Sequence, residues 1–298
     1  MPGPGRHCDV QFTTDWKLDA ERRDLTINAM MMDLSGTVFD YFDGQRDLLD
    51  RRVRFVGNPE QRLEEDHLRI LRYYRFHGRI SKRKVHDELC VEAISRRVDG
   101  LHRISGERIR SEMVKILEHP SGPDELEDMA AHGVTAHIAM PSIEPAQFAD
   151  MRQVALHSPD PITRLAAVLE SAEAMQALHA RWKFTNKELV LALFLIEHRD
   201  GSMGLTQLKE ALVTNKVTQE VAVELLRYRG QLDDAAALAD WSIPKFPASG
   251  KELMKRTGMK GGRQLGALLQ RLRSVWIEKD YAPSAEELYA IALELNVE

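Results

Sequence analysis

The chain has 298 residues, of which 43% are hydrophobic and 29% charged, and its formal net charge at pH 7 is −5. This length predicts two or more domains with a large buried core, and the composition is that of an ordinary globular protein. Cys8 and Cys90 are the only cysteines, which argues against a disulfide framework or a cysteine-bound zinc site and fits a reducing compartment. The longest apolar run, residues 189–196, is too short to cross a bilayer and predicts a buried helix.

Strand-like patterns are confined to the first 57 residues, which are the only part of the chain with β-type alternation. We predict a strand at 8–14 and a helix at Asp15–Arg22, followed by a hairpin in which Thr26–Asp33 and Thr37–Phe42 are joined by a turn at Ser35-Gly36. A helical turn at Gln45–Asp50 and a last short strand at Val53–Val56 complete this part.

A long helix is predicted from Asn58, its N-cap, to about Ile80, with Pro59 at the first helical position. Asp66 and Arg69 are three residues apart and would project from one side of such a helix. A carboxylate accepts from the N4 amine of cytosine and a guanidinium donates to base acceptors, so the pair can read a base without a template. By itself, an Asp and Arg pair at this spacing is more often a solvated ion pair.

A second motif upstream favours nucleotide reading over a surface ion pair. Arg22-Arg23-Asp24-Leu25-Thr26-Ile27-Asn28 precedes Glu65-Asp66-His67-Leu68-Arg69. The two stretches resemble the RRDxTxN and EDxxR motifs of the class II tRNA nucleotidyltransferases, the CCA-adding enzymes, and most closely their animal form. The resemblance implies that CTP and then ATP donate nucleotides to the 3′ end of tRNA, with no nucleic-acid template.

The same resemblance assigns roles to six residues of this chain. It implies base selection by Asp66 and Arg69, and positioning of the ribose and triphosphate by Arg23, Asp24 and Asn28. Arg72, one helical turn beyond Arg69, is expected to reach phosphate. Tyr73 and Phe76 are expected to pack rather than stack on bases.

Beyond Pro59 the sequence predicts helices and essentially no strand. A helix is expected at Lys84–Arg96, another is capped by Ser105, and a Thr185…Glu188 box begins a third. His119–Pro123 predicts a linker because it combines Pro, Gly and Ser.

The C-terminal region resembles the tail domain with which the family grips the tRNA elbow. The resemblance rests on Ser249-Gly250-Lys251 and on Lys260-Gly261-Gly262-Arg263-Gln264-Leu265-Gly266. Glycines at a helix start leave backbone N–H groups open to phosphate. Basic residues cluster near both ends of the chain around an acidic middle, which suits contact with a polyanion. Lys251, Lys260 and Arg263 are therefore predicted to bind tRNA.

The expected fold is α+β, with a partial mixed α/β nucleotidyltransferase head followed by an elongated all-α neck, body and tail. The predicted domains are the head remnant at 1–57, the neck at 58–120, the body at 121–240 and the tail at 241–298. No chemistry is assigned to the body.

The resemblance also implies Mg²⁺, held by the two aspartates of a DxD pair that follows a GG…RD stretch. Neither stretch is present, and the chain contains no Asp-x-Asp. We therefore expect a truncated head, inactive alone, with an unpaired sheet edge and exposed apolar surface. Asp40 and Asp43 are the nearest alternative carboxylates, although Asp40 is expected to have a structural role in a hairpin.

Three functions stay open at this stage. The first is a CCA-adding tRNA nucleotidyltransferase, the second a poly(A) polymerase of the same superfamily, and the third a non-catalytic fragment that binds tRNA. The start of the chain, Met1–His7, has neither a signal peptide nor a transit peptide pattern. The expected compartment is therefore mitochondrial and/or cytoplasmic or nuclear, as in the family, without a membrane partner.

Overall fold

The computed structural model describes residues 14–81 and 85–295, so the strand predicted at residues 8–14 lies almost wholly outside the described residues. Within them the chain forms one two-stranded antiparallel sheet and eighteen α-helices, which confirms the predicted α+β class. The helices are α1 (Trp16–Glu21), α2 (Gly44–Leu49), α3 (Pro59–Glu65), α4 (Arg69–Ile80), α5 (Glu88–Arg97), α6 (Gly106–Leu117), α7 (Gly122–Ala131), α8 (Val134–His137), α9 (Pro145–His157), α10 (Pro161–Ala166), α11 (Ala172–Trp182), α12 (Asn186–His198), α13 (Leu205–Val213), α14 (Gln219–Tyr228), α15 (Leu232–Ala239), α16 (Gly250–Thr257), α17 (Arg263–Glu278) and α18 (Ala285–Leu295).

The hairpin is present but shorter than the sequence pattern predicts. Strands β1 (Met31–Met32) and β2 (Val38–Phe39) pair antiparallel, with Met31 opposite Phe39. The carboxylate of Asp33 accepts from the backbone N–H groups of Ser35 (2.9 Å) and Thr37 (2.8 Å). This side chain therefore holds the turn that the Ser35-Gly36 pair predicted.

Two predicted strand segments are wrong. Thr26–Asn28 forms a 3₁₀ helix, because the hydroxyl of Thr26 donates to the buried carboxylate of Asp47 (2.6 Å). The guanidinium of Arg54 donates to the same carboxylate (2.7 Å). The segment 53–56 contributes a single bridge, between Leu25 and Phe55, instead of a strand.

The helical turn predicted at residues 45–50 is confirmed as α2, and Asp40 caps it. The Asp40 carboxylate accepts from the backbone N–H groups of Phe42 (3.3 Å), Gly44 (2.9 Å) and Gln45 (2.8 Å). Burial raises the pKa of Asp40, and these three hydrogen bonds more than offset it, so the pKa lies below its usual value. Asp40 therefore has a structural role, but at the start of α2 and not in the hairpin as expected.

Large apolar side chains are exposed throughout the N-terminal part, as the sequence predicts. Leu34, at the hairpin turn, is fully exposed, and Leu49 is 80% exposed. Other exposed apolar residues in this part are Trp16, Leu18, Met32, Val38, Tyr41 and Leu48.

The described residues divide into two compact units, one formed by residues up to 199 together with 227–230 and the other by 200–226 with 231 onward. In the first unit α6 packs against α4, α7, α10 and α11. Tyr73 is fully buried and stacks on Phe55 with ring centroids 5.5 Å apart, which confirms its predicted packing role. The four domain boundaries proposed above stay a prediction.

Arg164, in α10, ties three segments of the first unit together. It is 4% exposed, and its guanidinium donates only to backbone carbonyl oxygens. The acceptors are Leu117 (2.6 Å) at the end of α6, His119 (2.9 Å) in the segment that follows, and Ser158 (2.9 Å) and Ala155 (3.5 Å) at the end of α9. Carbonyl groups at the last turn of a helix lack intrahelical partners, so this cation satisfies them and complements the helix dipoles.

The second unit has its own core around Trp276, which is 2% exposed and packs with residues of α16, α17 and α18. Ser249 caps α16 through a bond from the backbone N–H of Glu252 (3.2 Å). Ser284 and Glu287 form a capping pair at the start of α18: the backbone N–H of Ser284 donates to the Glu287 carboxylate (2.7 Å), and that of Glu287 donates to the Ser284 hydroxyl (3.4 Å). Gly262 precedes the first residue of α17, as the predicted glycine-rich helix start requires.

Three predictions on helix ends have different outcomes. The Thr185…Glu188 capping box of α12 is confirmed. Ser105 precedes α6, but its side chain makes no capping hydrogen bond. The helix predicted from Lys84 begins at Glu88, because Asp87 caps it.

The segment predicted as a linker, 119–123, is short and packed. The hydroxyl of Ser121 donates to the carbonyl oxygen of Gly78 (3.0 Å), and α7 begins at Gly122. Among the residues that the structure describes, no helix has both the length and the apolar character needed to span a bilayer.

Candidate functional site

All six residues predicted to bind nucleotide lie around one pocket of about 380 Å³. Its lining contains five arginines but only two aspartates, so its charge suits a polyanion. The lining residues are Arg22, Arg23, Asp24, Asn28, Asp66, Leu68, Arg69, Arg72 and Arg108.

The helix expected to carry Asp66 and Arg69 as one rod is broken between them. α3 ends at Glu65, and Asp66 has extended backbone angles, with φ −156° and ψ 105°. α4 then begins at Arg69, whose N–H donates to the carbonyl oxygen of Asp66 (3.0 Å). The rod prediction is therefore wrong, although both side chains still line the same pocket.

Packing against a glycine accompanies this break. Gly100 lies so close to the His67 ring that a Cβ there would be 1.8 Å from the ring carbon Cδ2. Asp66, the residue before His67, accepts from the backbone N–H of Leu68 through Oδ1 (3.1 Å). Tertiary contact and local hydrogen bonding thus replace the helical ladder at this point.

Arg69 is anchored on both sides of the pocket. Its Nη1 donates to the carbonyl oxygen of Arg62 (2.9 Å) and to the carboxylate of Glu65 (2.7 Å). Its Nη2 donates to the carbonyl oxygen of Arg22 (2.7 Å), which belongs to the other motif. These bonds fix the plane of the guanidinium and join the two motifs into one structure.

Asp24 and Arg72 form the buried wall of the pocket. Arg72 Nε donates to Asp24 Oδ2 (2.5 Å), and Asn28 Nδ2 donates to Oδ1 (3.3 Å). Asp24 is 7% exposed. Burial raises the pKa of Asp24, but the Arg72 guanidinium more than offsets this, so the pKa lies below its usual value.

Arg23 is held at the rim. It donates to the carboxylate of Asp19 through Nη2 (2.9 Å) and to the carbonyl oxygen of Asn28 through Nη1 (3.1 Å). Arg22 is more exposed and pairs with the same Asp19. Both guanidinium groups keep unused donors, because an arginine has five N–H bonds.

Arg108, from α6, is a pocket residue that the sequence analysis did not identify. Its Nη2 donates to Asp66 Oδ2 (2.6 Å). Arg108 follows Asp66 by 42 positions. The only local signal was its place in Gly106-Glu107-Arg108-Ile109, the part of the sequence that begins α6.

The described residues do not fit a Mg²⁺ site. Mg²⁺ prefers octahedral oxygen ligands, mostly carboxylates and waters. The Asp24 carboxylate is bonded to Arg72 and Asn28, that of Asp66 to Arg108 and the Leu68 N–H, and that of Asp40 to three backbone N–H groups. A metal ion at any of these carboxylates would have to displace the donors that they already accept from.

Within the described ranges, one group of three side chains is close enough to share a metal ion. The ligand atoms of His77, His86 and Glu125 lie within 4.8 Å of one another. The two imidazoles, however, are stacked with centroids 3.8 Å apart and planes inclined by 18°. A metal lies near the plane of each imidazole that binds it, and two nearly parallel stacked planes do not meet at such a point.

Each of these rings instead bonds to its own carboxylate. His77 Nδ1 lies 2.9 Å from Glu125 Oε1, and His86 Nε2 lies 3.0 Å from Asp128 Oδ2. The group is therefore a buried hydrogen-bonded cluster that joins α4, the start of α5 and α7.

The three residues predicted to bind tRNA are exposed in the second unit. Lys251 lies in the first turn of α16, and Lys260 and Arg263 flank the Gly261-Gly262 pair before α17. In contrast, Arg256 is paired with Glu252 (3.0 Å) and Glu286 (2.6 Å).

Two family models match the chain. Residues 3–54 match the poly A polymerase head domain, and residues 87–147 match the probable RNA and SrmB-binding site of polymerase A. Together with the arginine-rich pocket, these matches define a nucleotidyltransferase.

Similar proteins narrow the class. The chain is 40% identical over 298 residues to CCA tRNA nucleotidyltransferase 1, mitochondrial, of Mus musculus, covering 95% of this chain and 68% of that protein. The Homo sapiens protein of the same name is also 40% identical, over 297 residues, with the same coverage. The chain therefore belongs to the CCA tRNA nucleotidyltransferase family, and the poly(A) polymerase alternative is not favoured.

Solved structures agree with this assignment. The Bacillus stearothermophilus CCA-adding enzyme in complex with CTP superposes with a TM-score of 0.72 at 25% identity, covering 96% of this chain and 76% of that one. The Thermotoga maritima CCA-adding enzyme complexed with tRNA superposes with a TM-score of 0.66 at 22% identity, covering 94% and 73%, and shows the same fold.

Proposed function

We propose that the pocket between the two motifs reads the base of CTP and then of ATP during template-independent addition of CCA to the 3′ end of tRNA. The observation that carries this proposal is the position of Asp66 and Arg69 in one arginine-rich pocket with Arg23, Asp24 and Asn28. The mouse and human relatives are both named as mitochondrial proteins, which supports a mitochondrial site of action for this chain.

The chemistry of the four bases explains why an acid and a guanidinium suffice. Cytosine and adenine both present an exocyclic amine beside an unprotonated ring nitrogen, which is a donor next to an acceptor. Uracil and guanine present a carbonyl oxygen beside a ring N–H, which is the reverse pattern. A carboxylate accepts only and a guanidinium donates only, so Asp66 and Arg69 match the first pattern and repel the second.

The other pocket residues would hold the rest of the nucleotide. Arg23 and Arg72 have guanidinium groups at the rim and the wall, where they suit triphosphate oxygens. Asp24 and Asn28 are bonded to each other and suit the ribose hydroxyls, which a deoxynucleotide lacks in part.

Replacing Asp66 by Ala is expected to reduce discrimination between CTP and UTP by roughly 1–3 kcal/mol, because the acceptor for the amine is removed. The measurement is the dissociation constant of each nucleotide for the 298-residue chain, in buffer containing Mg²⁺. Glu64→Ala is the matched control, since Glu64 is an acid two positions before Asp66, in the last turn of α3, and its side chain pairs with Arg97 outside the pocket. An unchanged ratio in Asp66→Ala would remove the base-reading role from this residue.

We also propose that Lys251, Lys260 and Arg263 bind tRNA phosphates. Their exposure supports this, because a cation that is free of a carboxylate partner can neutralise phosphate and release counterions. Replacing all three by Ala should weaken tRNA binding and reduce the slope of log K against log salt by about 1 per residue.

The tRNA experiment is a gel-shift titration at several salt concentrations. Lys279→Ala is the control, since Lys279 is exposed at the opposite end of α17 from Arg263. A slope that changes equally in the control and in the triple variant would contradict a local phosphate site.

A further inference from the structure

The carboxylate of Asp66 is held at both oxygens in the structure without nucleotide. Oδ1 accepts from the backbone N–H of Leu68 (3.1 Å), and Oδ2 accepts from Arg108 Nη2 (2.6 Å). The backbone bond alone leaves rotation about the Cβ–Cγ bond, whose torsional preference is broad. Arg108 therefore fixes the plane of this carboxylate.

We propose that Arg108 is a positioning residue that sets base selectivity by holding the Asp66 carboxylate in the orientation that accepts an exocyclic amine. This inference rests on the proposed nucleotide-reading function of the pocket. Without Arg108 the Asp66 carboxylate could rotate. Its oxygens would then be able to turn away from the carbonyl oxygen of uracil or guanine, so the repulsion that excludes UTP and GTP would be weaker.

The surroundings of Arg108 agree with a role in the pocket rather than in general helix packing. Its side chain lines the pocket, together with Asp66 and Arg69. Its Nη1 is buried and has no hydrogen-bond partner among the described residues, so the guanidinium keeps a donor beyond the one that holds Asp66.

Arg110 provides the structural comparison on the same helix. It lies two residues beyond Arg108 and donates to Glu188 at the same distance, 2.6 Å. The two arginines are similarly exposed, at 32% and 24%. Arg110, however, is not part of the pocket lining.

The positive charge of Arg108 also matters, because an uncharged donor would hold the Asp66 carboxylate less strongly. A carboxylate that accepts from a guanidinium stays an acceptor, and a charge-assisted bond of this kind is shorter and stronger than a neutral one. A lysine could keep the charge but would lose the planar, directional fork. Arg108→Lys should therefore restore selectivity only in part.

The experiment measures dissociation constants of CTP, ATP, UTP and GTP for the 298-residue chain and for Arg108→Met, Arg108→Lys and Arg110→Met, all in the presence of Mg²⁺. Arg108→Met is expected to reduce the ratio of UTP to CTP dissociation constants by about tenfold, the size of one lost base contact. The affinity for CTP itself should change less than this ratio. Arg110→Met is expected to leave the ratio unchanged.

Melting temperatures of all variants separate selectivity from folding. If Arg108→Met lowers the melting temperature as Arg110→Met does but keeps the wild-type ratio, Arg108 is structural and the proposal is overturned. If Arg108→Met does not fold, the same measurement is made on Arg108→Lys. A wild-type ratio of UTP to CTP dissociation constants in that variant would likewise overturn the proposal. Equal affinity of the unaltered chain for all four nucleotides would overturn the base-reading pocket itself, and with it the role of Arg108.

Discussion

The 298-residue polypeptide, purified by itself, is expected to incorporate CTP into tRNA at least about a thousandfold more slowly than a CCA-adding relative that carries the DxD pair. Metal ions contribute several kcal/mol of charge stabilisation in such reactions, and each loss of about 1.4 kcal/mol is a tenfold loss in rate. The chain has no Asp-x-Asp, and the pocket aspartates are bonded to arginines. The measurement is single-turnover incorporation of labelled CTP at saturating Mg²⁺.

The control is CTP binding by the same preparation, because the pocket residues proposed to bind the nucleotide are all present. A polypeptide that binds CTP but transfers it slowly agrees with the prediction. A rate within about tenfold of the relative would contradict it and would show that other carboxylates bind the ions. Asp43→Asn is the variant to examine in that case, since the Asp43 side chain is 83% exposed, whereas that of Asp40 is used as a cap.

The second large effect is expected on stability. Replacing Arg164 by Met should destabilise the protein by about 3–5 kcal/mol, because main-chain carbonyl oxygens at the ends of α6 and α9 lose their donor together. For a domain of this size the melting temperature should fall by about 10 °C. Thermal unfolding followed by circular dichroism measures it.

Arg152→Met is the matched control for Arg164. Arg152 also bridges two elements, donating from α9 to Asp124 (3.0 Å) and to Glu127 of α7, but its side chain is 39% exposed. Exposed pairs of this kind contribute less than about 1 kcal/mol. A similar fall in melting temperature for both variants would show that the buried carbonyl acceptors of Arg164 are not the source of its effect.

Local sequence was sufficient for the elements whose signals lie within a few residues. The capping box at Thr185 and Glu188, the glycine pair before α17 and the helical turn that forms α2 are all local patterns, and the structure contains them. The resemblance of two short motifs to a family was likewise enough to collect six side chains that the fold places around one pocket.

The missed features depend on partners that are distant in sequence. The break at Asp66 could not be predicted, because Glu65, Asp66 and His67 include no glycine or proline and fit a helix. Two contacts with distant residues accompany the break: Arg108 donates a hydrogen bond to Oδ2 of Asp66, and Gly100 lies close to the His67 ring. Thr26 was assigned to a strand for a similar reason, since its buried acceptor, Asp47, is 21 positions away.

The anchoring of Arg69 has a consequence for how this region responds to substitution. Two of its bonds end on main-chain oxygens, those of Arg22 and Arg62, so they are independent of which side chain occupies those positions. Replacing Arg22 by alanine would leave this hydrogen bond from Arg69 in place, because alanine has the same main-chain carbonyl group. At position 22 itself, this contact is lost only through changes that move the main chain, such as an insertion or a proline.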